Sequence, residues 1–269
     1  MSKIGFIGTG NMGGALARAV GKSGHEIYLS DFSAEKVRAV ADSIGENARV
    51  SDNTAIVSEC DLIFLGVKPQ MLPALAKEIA PSIVNRKNHF CLVSMAAGIS
   101  IARIEELFGA EELPVIRIMP NTPAAIGEGM ILVCSNKRVG DGDKKLLGAA
   151  LSFAGQTDEI EERLIDAASA VSGCGPAYVC LFLEALADGG VRCGLPRDKA
   201  LRYAIATVKG TAALIAQSGK HPGEIKDAVC SPAGTTIEGV AALEDGGFRG
   251  LTIEAVTAAY EKTLALGKK

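Results

Sequence analysis

Two stretches of the chain carry residue types that bind small anionic molecules. In the first, Gly8-Thr-Gly-Asn-Met-Gly13, three glycines stand at GxGxxG spacing between an apolar run and a helical one. Gly8 permits a tight turn, Gly10 lets a pyrophosphate approach the backbone, and Gly13 lets helix and strand pack closely. In the second, Ser231-Pro-Ala-Gly-Thr-Thr236, hydroxyls and a glycine precede an apolar helical run, with no charge among them. The first turn of a helix presents unpaired N–H groups and the positive end of its dipole, which favour an anion. Serine and threonine are also ordinary helix caps. Residue types alone leave a capped helix and a small-anion site both open here.

Further candidates lie where strands end. Asp31 closes the apolar run EIYLSD, where an acid accepts hydrogen bonds from adenosine ribose hydroxyls, as suits NAD. Ser30, Ser33, Lys36 and Arg38 stand close enough in sequence to face a 2′-phosphate, so NAD against NADP stays open. Leu65-Gly-Val-Lys-Pro69, Ser94-Met-Ala-Ala-Gly98 and Pro120-Asn-Thr-Pro123 each follow an apolar strand. In open α/β sheets ligands lie beyond such carboxyl ends. No strong general acid stands out: His25, His89 and His221 fall at element boundaries. Glu184 and Asp188 sit four apart on an apolar helix, and Arg192 is expected to pair with Asp188. Arg197 and Arg202 read as solvated.

The elements that position these residues alternate in type. KIGFIG, EIYLSD, DLIFLGV, FCLVSMA, VIRIMP and MILVCS read as strands, with helices between most of them and a last short strand at 156–160. The expected fold is α/β: an N-terminal Rossmann-type doubly wound, mostly parallel sheet followed by an all-α C-terminal dimerisation domain. After Ile160 no convincing strand appears, and Gly and Pro punctuate long Ala-, Leu- and Val-rich runs. The domain boundary is expected near residue 160: 1–160 dinucleotide-binding, 161–269 helical. Residues 178–187 and 211–216 are apolar on more than one face, and such helices must be buried. A domain of this size has limited interior, so burial against another subunit, an obligate dimer at least, is expected.

Composition narrows the function further. The chain has 269 residues, 48% hydrophobic and 22% charged, with a net charge of −3 and no tryptophan. A chain without a basic stripe or stacking platforms is not expected to bind nucleic acid. The N-terminus lacks a signal-peptide core, and no uninterrupted apolar run of about 18 residues occurs, so neither export nor a membrane span is expected. Seven scattered cysteines without a CxxC pair imply free thiols in a reducing cytoplasm, and no metal site.

From FIGTGNMG through GVKP, MAAGI, MPNTP, LIDAASAVSGCGPAY and EALADGGVRCGLPR to PGEIKDAVCSPAGTTIEGVAALE, nearly the whole chain resembles the pyrroline-5-carboxylate reductases. The last stretch agrees with the family signature at nearly every specified position. The resemblance implies reduction of 1-pyrroline-5-carboxylate to L-proline by NADPH or NADH, the final step of proline synthesis. It implies a homodimer or a higher homo-oligomer built from dimers, whose helical domains interleave. Ile7, Gly8, Thr9, Gly10, Asn11 and Met12, with Gly66, Val67, Lys68 and Pro69, would hold the cofactor. Asn53 would meet its adenosine end, and Met95, Ala96 and Ala97 its nicotinamide end. Ser231, Gly234, Thr235 and Thr236 would hold the substrate carboxylate, with Thr236 beside the ring nitrogen as the catalytic residue and Glu162 at the substrate pocket.

Two positions depart from the family pattern. Asp31-Phe32 stands where NADPH-favouring relatives often carry small or basic residues, and Cys174 replaces the serine of SGSGPAY. Rival readings are a reductase of another small imine or of a 3-hydroxy acid, and a nucleotide-binding protein without turnover.

Overall fold

The computed structural model of the chain describes residues 1–109 and 112–267. Two compact units divide it: residues 1–174 together with the chain from Ala259 onward, and residues 175–258.

The first unit is wound around an eight-stranded sheet. In chain order it contains β1 (Lys3–Ile7), α1 (Asn11–Gly21), β2 (Glu26–Ser30), α2 (Ala34–Ile44), β3 (Ala48–Val50), α3 (Asn53–Glu59) and β4 (Leu62–Leu65). Then follow α4 (Leu72–Asn85), β5 (Cys91–Ser94), α5 (Ile101–Phe108), β6 (Val115–Met119), β7 (Gly129–Ser135), α6 (Asp141–Leu151), β8 (Gly155–Glu159) and α7 (Glu162–Ser172). The strand order is β3-β2-β1-β4-β5-β6-β7-β8, and every pairing is parallel except β6 with β7. That exception has a simple cause. The β6–β7 connection holds only a short 3₁₀ turn, Thr122–Ile126, and a parallel crossover needs a longer one.

Strands β4, β5 and β6 are buried along their whole length, which explains their unbroken apolar runs. Ile63, Leu65 and Leu92 pack into one layer beneath helices, while Phe6, Phe64 and Val93 pack into the other. Phe6 and Phe64 stack with ring centroids 4.5 Å apart. The strand order reverses between β1 and β4, so a crevice opens beyond their carboxyl ends, where such sheets bind ligands.

The second unit contains α8 (Gly175–Arg192), α9 (Arg197–Ser218), α10 (Pro222–Val229), α11 (Thr235–Asp245) and the first part of α12 (Phe248–Gly267). Its own buried apolar cluster consists of Ala187, Ala200 and Ala204. Large side chains stay bare: Leu181, Leu251 and Ile253 are each about two-thirds exposed. An apolar groove of about 910 Å³ runs between Tyr178, Leu181, Phe182, Phe248 and Leu251.

The compact units part at Cys174, because α7 is tied to the sheet through Arg117 on β6, which pairs with Glu162 and Asp166. By length and composition the stretch Glu162–Arg192 is apolar enough to cross a membrane, although no such span was expected. The reason is its wealth of alanine, leucine, valine and cysteine with few charges. The chain divides it into two helices, α7 and α8.

Candidate active site

The glycines of the first turn interlock across the strand-order reversal. Gly8 takes φ +99°, a conformation that side chains disfavour, and a Cβ there would lie 2.7 Å from the Gly66 carbonyl carbon. A Cβ on Gly13 would sit 2.1 Å from the Gly8 oxygen. Gly10 differs: a Cβ there would meet no protein atom within 4 Å. The space over Gly10 is therefore left open by the protein, as a pyrophosphate requires. Gly10 is the N-cap of α1, with no side-chain cap and no acid in the first turn. The unpaired amides and positive dipole end at Asn11 and Met12 are uncompensated, so the residues present fit a dinucleotide.

At the end of β2 the polar atoms are already engaged. Asp31 Oδ2 accepts the Thr9 backbone N–H at 2.6 Å and the Thr9 hydroxyl at 3.2 Å, and Oδ1 accepts the Ser33 N–H at 2.9 Å. Thr9 is thus turned into the protein. The Ser30 hydroxyl donates to the Asn53 amide oxygen, whose nitrogen donates to Glu78 Oε1 at 2.8 Å. Glu78, on α4, carried no signal in the sequence. Phe32 is wholly exposed beside Asp31.

The other strand ends converge on one edge of this unit. Gly66 N–H donates to Ile7 O at 2.8 Å, joining the loop of Val67, Lys68 and Pro69 to the first turn. Lys68 is exposed and Pro69 opens a 3₁₀ turn. Met95 N–H reaches Leu65 O at 3.4 Å, Ala96 is buried and Ala97 is exposed. Glu162, expected at a substrate pocket, uses Oε1 on the Ile101 N–H at 2.7 Å and on Arg117 at 3.4 Å. Its side chain remains about one-third exposed.

In the second unit, the choice between cap and anion site at residues 231–236 turns on where the hydroxyls point. Gly234 is the N-cap of α11, and no side chain caps it. Thr235 and Thr236 are the first helical residues, both exposed. Ser231 O accepts the Gly234 N–H at 3.0 Å, and a Cβ on Gly234 would lie 2.2 Å from Ser231 Oγ. Ala233 adopts φ +54°, a left-handed conformation that costs a non-glycine residue roughly 1–2 kcal/mol. Such strain collects at ligand sites. Amides of the first turn and three hydroxyls are therefore free for an external acceptor.

The pyrroline-5-carboxylate reductase dimerisation domain matches residues 162–266, and a domain described as NADP oxidoreductase, coenzyme F420-dependent, matches residues 3–98. The chain is 46% identical to the pyrroline-5-carboxylate reductase of Synechocystis over 82% of its length and 81% of that protein's. It is 40% identical to the Escherichia coli pyrroline-5-carboxylate reductase over 99% of its own length and 98% of the relative's. The chain belongs to the pyrroline-5-carboxylate reductase family. The crystal structure of the Plasmodium falciparum pyrroline carboxylate reductase with NADP bound superposes with a TM-score of 0.87 at 34% identity, covering 99% of this chain and 98% of that one.

The three histidines and Asp188 of this reductase-family chain have local partners. His25 Nδ1 accepts the Ser2 N–H, His221 Nδ1 accepts the Gly223 N–H, and His89 pairs with Asp143 at 2.8 Å. Asp188 pairs with Arg197 rather than with the expected Arg192, because the α8–α9 turn brings Arg197 back over α8. Cys60, Cys91 and Cys134 are buried, and burial raises their thiol pKa values; Cys60 is pushed up to about 12 and Cys134 to about 11. Arg117 and Asp166 were not among the sequence candidates. The signals existed: an arginine inside the apolar strand VIRIMP, and Glu162 and Asp166 one turn apart in EERLIDA.

Proposed function

We propose that the chain reduces 1-pyrroline-5-carboxylate to L-proline with NAD(P)H, in the cytoplasm, as a homodimer or an assembly of dimers. The observation that carries this reading is the uncapped mouth of α11: a helix N-terminus ringed by Ser231, Thr235 and Thr236, with no side chain closing it. Family membership supports it along nearly the full length of the chain.

The residues divide the work by chemistry. Ser231, Gly234, Thr235 and Thr236 take the substrate carboxylate, whose charge the helix dipole and first-turn amides neutralise. That grip orients the five-membered ring and presents one face of its C=N bond. Glycines 8 and 10 with Asn11 and Met12 hold the pyrophosphate, Ile7 and residues 66–69 border it, and Asp31 and Asn53 border the adenosine. Met95, Ala96 and Ala97 back the nicotinamide end. When bound, the reduced nicotinamide supplies the hydride. The Thr236 hydroxyl oxygen accepts a hydrogen bond from the ring N–H; the hydroxyl is too weak an acid to deliver a proton, so the imine binds in its protonated form. Glu162 keeps one oxygen uncommitted near the same end of the sheet.

The bare apolar helices of residues 175–258 support the dimer, since Leu181, Leu251 and Ile253 find no cover within their own unit. A spectrophotometric assay of pyrroline-5-carboxylate with NADH and NADPH tests the reading. Turnover with at least one cofactor is expected; turnover of a 3-hydroxy acid or another imine in its place overturns it.

A further inference from the structure

Arg117 is a cation sunk in the sheet. It lies on β6 between Ile116 and Ile118 and is 2% exposed. A guanidinium has no accessible neutral form, so it is buried only where carboxylates meet it. Its Nη2 lies 2.5 Å from Asp166 Oδ1, and its Nη1 lies 3.4 Å from Glu162 Oε1. Both acids project from the first turns of α7, four residues apart and on one face.

The network does not stop at α7. Glu162 Oε1 also accepts the N–H of Ile101, the first residue of α5, at 2.7 Å. Ile101 follows directly on the Met95–Ser100 segment, and no other side chain takes that amide; the helix cap Ser100 serves Arg103. The far end of α7 is held as well. Asn121, just past β6, donates to Ser172 O at 3.0 Å and accepts the Met130 N–H at 3.0 Å. One helix is thus tied at both ends to β6 and its following loop. The start of α5 hangs on the carboxylate that Arg117 orients.

We propose that Arg117 is a positioning residue for the nicotinamide end of the site. It fixes Glu162, and Glu162 fixes the first amide of α5 and with it the Met95–Ala97 segment. The proposal rests on the reading that this segment backs the nicotinamide. A forked guanidinium suits the task, because it reaches two carboxylates one helical turn apart; lysine offers a single point charge.

A purely structural ion pair would lower thermal stability and nothing else, so the test reads local order and the nicotinamide environment. Arg117→Met, Arg117→Lys, Glu162→Gln and Asp166→Asn are compared with the wild type in the full chain. Hydrogen exchange is followed in the ligand-free protein, with nicotinamide emission on NADPH binding, affinity for 2′,5′-ADP, and kcat and KM. In Arg117→Met and Glu162→Gln the Ile101 amide is expected to exchange about tenfold faster or more. Bound NADPH is expected to lose its wild-type emission change while 2′,5′-ADP binds as before, and kcat is expected to fall about tenfold or more. Arg117→Lys is expected to recover part of each signal, and it carries the comparison with Asp166→Asn if Arg117→Met does not fold. Variants that lose thermal stability but keep wild-type exchange at residues 98–101, wild-type emission and wild-type kcat overturn the proposal. A wild-type protein that binds NADPH without any emission change removes the placement of the nicotinamide at residues 95–97, and the proposal falls with it.

Discussion

In the proposed function, Thr236 is the residue on which chemistry at the α11 mouth depends most directly. Its hydroxyl sits at the second helical position, exposed, beside an N-cap that no side chain closes. Thr236→Ala is expected to keep cofactor affinity and to lower kcat about tenfold or more, as steady-state and binding measurements would show. Ala233 offers a complementary test. At φ +54° it tolerates glycine, whereas a β-branched residue is forced out of that region. Ala233→Gly is expected to leave KM for the substrate near wild type, and Ala233→Val to raise it about tenfold without changing cofactor affinity. Asp31 shows how a residue's type and its surroundings differ. The acid was legible at the end of β2, but its bonds to Thr9 and Ser33 were not, because they depend on how two turns meet.

At the scale of elements, the glycines of the first turn separate folding from binding. Gly10→Ala adds a methyl that meets no protein atom, so the melting temperature is expected to hold while cofactor affinity drops. Gly13→Ala drives its methyl to 2.1 Å from the Gly8 oxygen, and a fall in melting temperature is expected instead. The sheet also carries a titration signature. Burial holds the Cys134 thiol protonated, from an ordinary 9.0 up to about 11, with Glu162 adding in the same direction. The unfolded thiol ionises first as pH rises, so stability is full below about pH 8.5 and is lost progressively above it. Melting at pH 10 should therefore come earlier than at pH 8, and Cys134→Ala should narrow that gap. Most of these elements were readable from apolar runs and glycine punctuation. The exception is α7: its residues read as part of the helical half, yet two carboxylates bind it to the sheet.

The whole molecule is unevenly finished. The first unit closes two apolar layers around its sheet, whereas the second leaves Ile253 bare, and with it Leu181 and Leu251 along a groove of about 910 Å³. A surface of that kind marks an interaction site. Light scattering at low micromolar concentration is expected to find no species at the chain mass of 27.8 kDa. Leu251→Glu, which puts a charge into the groove, is expected to yield that species together with a lower melting temperature for the helical unit.

The amino-acid order alone determined the alternation of strands and helices, the glycine-rich first turn, the hydroxyl-rich helix start at residues 231–236 and the surplus of apolar helix surface. All of these are local, written in periodicity, in glycine spacing and in residue type. Only the tertiary structure decided that Gly10 faces open space while Gly13 is wedged, that Asp31 is spent on Thr9, and that Arg117 draws α7 onto the sheet. Those outcomes depend on distances between residues far apart in the chain, and the packing of layers sets such distances where no local propensity can.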